Sequence, residues 1–171
     1  GEDVTGDDDS KYKYDGVDIN FKHALSYLVF KVKTTANYSP TMFRLNGITL
    51  SGIYTTGNFT QKPAGTDPNW AVDTDPAKVG SYVAYTGGEL SFGSSSAVDV
   101  PETPTKQIIL LPQTLTDNQQ VIKIDYQIST DGKAVDAVDK TWINQTQTVD
   151  LKNATVSAWE MGKKYTYTLS I

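Results

Sequence analysis

The chain has 171 residues, 38% of them hydrophobic and 20% charged, which suits one ordinary domain with a buried core and a polar surface. A formal net charge of −5 argues against nucleic acid as a partner, because phosphate binding needs clustered Lys and Arg. With no cysteine, the chain has no disulfide, thiolate metal site, Fe–S cluster or cysteine nucleophile.

No apolar run approaches a transmembrane helix in length, and no basic amphipathic segment points to a membrane surface. The ten tyrosines and the abundant Thr, Ser and Val favour strands, and thirteen glycines and seven prolines punctuate them. Gly1-Glu2-Asp3-Val4-Thr5-Gly6 does not read as a native translation start, so an export signal or lipid-anchor cysteine is expected to lie outside this chain.

Residues 1–15 carry Glu2, Asp3, Asp7, Asp8, Asp9 and Asp15 with almost nothing apolar, the composition of a flexible acidic linker. A calcium loop is the sharper alternative, but three consecutive Asp residues lack the alternating spacing and closing Glu of such loops. The β-sandwich domain is expected over residues 16–171.

From Gly16 the hydrophobic period is two. Val17, Ile19 and Phe21 share one parity, and Leu28, Phe30 and Val32 share the other. One strand cannot bury both sets on the same face, so a bulge, a crossover or a helical turn is expected across residues 22–26. His23, the only histidine, sits at that break. No nucleophile or carboxylate partner can be singled out for it, which favours a structural histidine over a catalytic base.

After a turn at residues 34–40, Met42 to Ile53 is strand-like with a second change of parity. Asn46-Gly47 is a hairpin signal, but the arm before it is short, and a bulge inside one long strand is preferred. Residues 55–80 hold turn chemistry laid end to end. Trp70 lies among it, either stacking on sugar rings or plugging one end of the sandwich, and the plug is favoured. Asp67, Asp73 and Asp75 offer cation ligands, but their spacing fits no binding motif.

Ser81 to Tyr85 and Glu89 to Phe92 read as a hairpin through Thr86-Gly87-Gly88, and residues 93–106 as a surface loop. Gln107 to Leu111 is unbroken hydrophobicity stopped by Pro112, the pattern of a strand buried on both faces. In the clearest alternation, Ile122, Ile124, Tyr126 and Ile128 oppose Lys123, Asp125 and Gln127. Asp131-Gly132 is a turn, and Asn144 to Leu151 an exposed or edge strand. In the final strand Tyr165, Tyr167, Leu169 and Ile171 alternate with Thr166, Thr168 and Ser170. A terminal strand of this form can complete another subunit's sheet, although pairing within its own domain is the preferred reading.

About nine strands and no convincing helix point to an all-β sandwich. No catalytic motif appears, and nothing pairs any two of the twenty carboxylates, so no catalytic site and no cofactor are expected. Asn37, Asn58, Asn144 and Asn153 head glycosylation-like triplets that chance explains in a chain this rich in Asn, Ser and Thr.

Four segments, in order, carry a resemblance to a known family. Phe21-Lys22-His23-Ala24-Leu25-Ser26-Tyr27-Leu28-Val29-Phe30-Lys31-Val32 is the first. Ile48-Thr49-Leu50-Ser51-Gly52-Ile53 with Gly57-Asn58-Phe59 is the second. The third is Leu110-Leu111-Pro112-Gln113-Thr114-Leu115 followed by Ile122-Lys123-Ile124-Asp125-Tyr126, and the fourth runs from Trp159 through Glu160-Met161-Gly162-Lys163-Lys164 to Leu169. Together they resemble the fimbrillin-like (type V pilin) proteins of Bacteroidales.

The resemblance implies a transthyretin-like antiparallel β-sandwich of about seven to nine strands. It also implies a surface lipoprotein that is a structural or adhesive subunit of a type V pilus or related adhesin. Its partners would be other pilus subunits or a host or bacterial surface ligand, with contact to the outer membrane only through a lipid anchor outside this chain. Two departures follow: the motifs are those of the later of two sandwich domains, and the chain stops directly after the closing motif. The alternative reading is a carbohydrate-binding module of an outer-membrane glycan-capture system.

Overall fold

The computed structural model of the protein describes residues 23–61, 68–101 and 107–171. The proposed acidic linker and the Val17, Ile19, Phe21 parity set lie outside them, as does Asp67. Within the described residues there are ten strands and one short 3-10 turn, Pro76–Lys78.

The first sheet is built on β1 (Ser26–Lys33). Leu28, Phe30 and Val32 all point into the core, as the alternation predicted. β6 (Val98–Asp99) and β7 (Ile108–Leu110) pair antiparallel along one edge of β1, one after the other. Along the other edge β10 (Lys164–Ser170) runs parallel to β1, from Tyr27 opposite Lys164 to Lys33 opposite Ser170. This parallel ladder departs from an otherwise antiparallel architecture.

In the second sheet the order is β5 (Val79–Phe92), β2 (Met42–Tyr54), β8 (Val121–Ser129) and β9 (Ile143–Asp150), all antiparallel. The inward faces of the two sheets form one apolar cluster. Leu28, Phe30, Val32, Tyr167 and Leu169 come from the first sheet, and Leu45, Ile48, Leu50, Ile122 and Ile124 from the second. Each such side chain contributes about 1.5–3 kcal/mol by leaving water. The architecture is an all-β sandwich.

β2 shows how an irregular pattern still faces one core. Its buried residues fall at Phe43, Leu45, Ile48, Leu50 and Ile53, so the parity changes twice. The first change is a bulge at Asn46-Gly47, where the register slips between Leu45 and Gly47 against both neighbours. The preferred sequence reading therefore holds, and the strand passes through unbroken. The second change is at Gly52, whose φ of +75° an L side chain rarely adopts and whose Cβ, if present, would lie 1.9 Å from the Gln119 carbonyl.

Four expectations are corrected. Residues 81–92 do not form a hairpin: β5 continues through Thr86-Gly87-Gly88 because β2 offers both halves a partner, with Gly47 opposite Thr86 and Leu45 opposite Leu90. The extra β5 residues bulge out at the glycines. The 108–110 strand is not buried on both faces, since β7 packs at a sheet edge with Ile108 and Leu110 inside and Ile109 50% exposed. Part of the stretch read as turns is a separate hairpin, β3 (Gly57–Thr60) with β4 (Asn69–Val72), in which Phe59 faces Trp70. The predicted surface loop after Gly93 also supplies β6 and the buried Val100.

β9 is the predicted exposed edge strand. Between β8 and β9 the chain is tied to one carboxylate. Asp131 accepts from the backbone N–H of Thr141 and Lys133, the Ser129 hydroxyl and the Lys140 ammonium. The Lys140 side chain is only 1% exposed, and both it and Arg44 lie against the Trp142 ring, the Arg44 guanidinium carbon 4.4 Å from the ring centre.

Candidate functional site

β2 ends at Tyr54, and an open groove of about 930 Å³ is built there from five parts of the chain. That volume lies in the upper range of small-molecule sites. It is lined by the β3–β4 hairpin with Trp70, by the segments around Thr114 and Glu160, by Tyr54 and by His23.

Side-chain bonds to backbone hold these parts together. Gln113 is buried, and its amide caps the end of β2: Oε1 accepts from the Tyr54 N–H at 3.1 Å and Nε2 donates to the Tyr54 carbonyl at 3.3 Å. A side chain thus supplies the ladder bonds that a neighbouring strand would have made. The Gln113 carbonyl accepts from the Trp159 N–H at 2.9 Å, and Leu115 N–H donates to Ser157. The Ser26 hydroxyl donates to the Glu160 carbonyl at 2.8 Å, and Gly162 N–H to the Leu25 carbonyl at 3.0 Å. Gly162, at φ +68°, makes the turn that sends the chain into β10.

Trp70 fits neither sequence reading in pure form. Its indole Nε1–H donates to the Ala24 carbonyl at 2.6 Å, and its ring leans on Phe59 with centres 5.2 Å apart and planes tilted by 45°. These contacts fix the hairpin to the end of the sandwich. The ring is nevertheless half-buried rather than enclosed, and it lines the groove. Trp159, on the same pole, is wholly inside, with its Nε1–H donated to Tyr167.

His23 is exposed on coil just before a bend at Ala24-Leu25 and the start of β1. The bend falls within residues 22–26, where a break in the strand pattern is expected. The loop carboxylates are engaged locally. Asp73 pairs with Lys78, whose ammonium does most to hold its carboxyl below the usual range, and also accepts from the Asp75 N–H. Asp75 caps the 3-10 turn through the Ala77 N–H. Among the described residues no group of three or more His, Asp or Glu is placed to hold a metal ion.

The four sequence segments that carry the resemblance reach this pole, through Ala24 and Ser26, Phe59 against Trp70, Gln113, and Trp159 to Gly162. A family model described as fimbrillin-like matches residues 3–171. The chain belongs to the fimbrillin-like family. Its fold is similar to that of a fimbrial protein from Bacteroides vulgatus, with a TM-score of 0.53 at 17% identity over 88% of this chain and 51% of that one. The fimbrillin-like chain thus spans about half the length of that protein. Among curated proteins nothing matches.

In this fimbrillin-like domain the terminal residues singled out by alternation lie on β10 or just beyond it. Tyr167 and Leu169 are buried, while Tyr165 and Ile171 pack partly against the same core. β10 pairs with β1 of its own chain and is the last strand on its side of the sheet among the described residues. The Tyr165 hydroxyl also accepts from the Glu160 N–H at 2.9 Å, which ties the strand's start to the groove. Sequence reasoning missed Gln113 and Gln120 as structural residues. Gln120 is 1% exposed and accepts from the Thr116 N–H. The only signal was a glutamine beside a proline-stopped apolar run, which does not say where its amide points.

Proposed function

We propose that this domain is a cell-surface building block, a structural or adhesive subunit of a type V pilus or a related surface adhesin, at the outer membrane or within the fimbria. Membership of the fimbrillin-like family supports the class, and one structural relationship supports the assembly role. Among the described residues β10 is an edge strand that meets its sheet by backbone bonds to a single neighbour, β1, and inserts Tyr167 and Leu169 into the core. A strand held in this way can be exchanged between chains at modest cost, since the same main-chain bonds and the same two pockets are remade in the acceptor. Tyr165, Tyr167, Leu169 and Ile171 are the residues that would carry the exchange. The partners are then other subunits of the same assembly or a surface ligand.

The register supplies the experiment. Lys31 lies opposite Thr168 across the β1–β10 ladder, and the chain has no native cysteine. Lys31→Cys and Thr168→Cys chains, each singly substituted, are refolded together under oxidising conditions. A mixed disulfide dimer between the two is the expected product. If only monomers and symmetric dimers form, β10 stays at home and the assembly role fails.

A further inference from the structure

We propose that the groove at the Tyr54 pole binds a short neutral saccharide, with Trp70 as the stacking platform. This goes beyond the pilus reading and does not rest on it, because the described lining of the groove comes from a single chain.

The ring of Trp70 is held before any ligand arrives. Its Nε1–H is committed to the Ala24 carbonyl and its ring packs against Phe59, so stacking on it costs little additional ordering. A pyranose presents an apolar face of C–H groups and a periphery of hydroxyls. The groove lining offers both: the aromatic surface of Trp70, and polar groups from Asn69 and from the exposed Thr114 and Thr116.

Charge narrows the ligand class. Among the described residues no Lys or Arg lines the groove, so a phosphate or a sulfated or acidic glycan finds no cationic partner among them. Among the described residues the lining holds one carboxylate, Glu160, and one imidazole, His23, which do not make a cation site. The 45° tilt between Trp70 and Phe59 also denies the flat two-ring surface that a crystalline polysaccharide face needs. A chain end or a short oligosaccharide remains.

The test uses the intact chain and four neutral probes: maltotriose, cellotriose, mannotriose and N-acetyllactosamine. Binding is read by saturation-transfer NMR and by the shift of the Trp70 indole proton. At least one probe is expected to bind saturably and to move that resonance. Trp70→Ala should abolish binding, but it also releases the hairpin from Ala24. Thr114→Arg therefore serves as the second variant: it starts from an exposed position in the groove lining, adds bulk and charge there, and should weaken binding by at least about tenfold with the melting temperature unchanged. Failure of all four probes to bind at millimolar concentration overturns the proposal. So does binding that survives Thr114→Arg, or a groove that takes an apolar peptide while refusing every saccharide.

Discussion

The indole Nε1–H of Trp159 donates to the phenol oxygen of Tyr167 at 2.9 Å inside the core, joining the loop before β10 to the middle of β10 itself. Tyr167 also stacks on Phe30 of β1, with ring centres 5.9 Å apart. One side chain therefore ties the closing turn, the terminal strand and the central strand together. Tyr167→Phe keeps the stacking and leaves the indole N–H without its acceptor in a dry site. The expected loss is about 1–3 kcal/mol, read as a lower urea midpoint with an unchanged m-value.

The same phenol gives the protein a sensitivity to alkali. Burial pushes the Tyr167 hydroxyl up from 10.0 to about 12, against the opposing pull of the Trp159 hydrogen bond. Below pH 10 both the folded and the unfolded chain keep the proton, and the contact is fully present. Above pH 10 the unfolded chain releases it first, so stability falls as pH rises through the window from 10 to about 12. Urea midpoints measured from pH 9 upward should fall across that window, and Tyr167→Phe should flatten the decline.

Two glycines with positive φ separate strain from collision. At Gly132 a Cβ would meet nothing within 4 Å, so Gly132→Ala should cost only the backbone strain, about 1–2 kcal/mol. At Gly52 the same strain is joined by overlap with the Gln119 carbonyl, which belongs to backbone and cannot swing away. Gly52→Ala should exceed about 4 kcal/mol or fail to fold. Thermal melts of the two variants side by side would show whether the order holds.

Asp131 should make the 130–141 loop sensitive to acid. The Thr141 N–H contributes most to holding its carboxyl well below its ordinary 3.8, followed by the Lys140 ammonium, the Lys133 N–H and the Ser129 hydroxyl. A lowered carboxylate stabilises the fold above its unfolded pKa, and that contribution is lost as pH falls below about 3.8 towards the lowered folded value. Amide exchange at Lys133 and Thr141 should accelerate in that acid range. Asp131→Asn should show fast exchange already at neutral pH, with β2 and β8 unaffected.

By itself the sequence determined the elements whose pattern is local. Alternation placed β1, β8 and β10 and named their inward residues, because a pleated strand repeats every two residues wherever it lies. The short arm before Asn46-Gly47 was enough to choose a bulge over a hairpin.

The tertiary structure decided everything that depends on a partner. Thr86-Gly87-Gly88 has turn chemistry, yet β2 pairs with residues on both sides of it and keeps the strand whole. Ile109 is as apolar as its neighbours, but its side chain points outward from an edge strand, and only the packing of the sheet shows that. The parallel placement of β10 beside β1, the Gln113 amide standing in for a strand and the half-open position of Trp70 all arise between residues far apart in the chain. Local pattern fixes which face of a strand is apolar, and only the assembled neighbours fix what covers it.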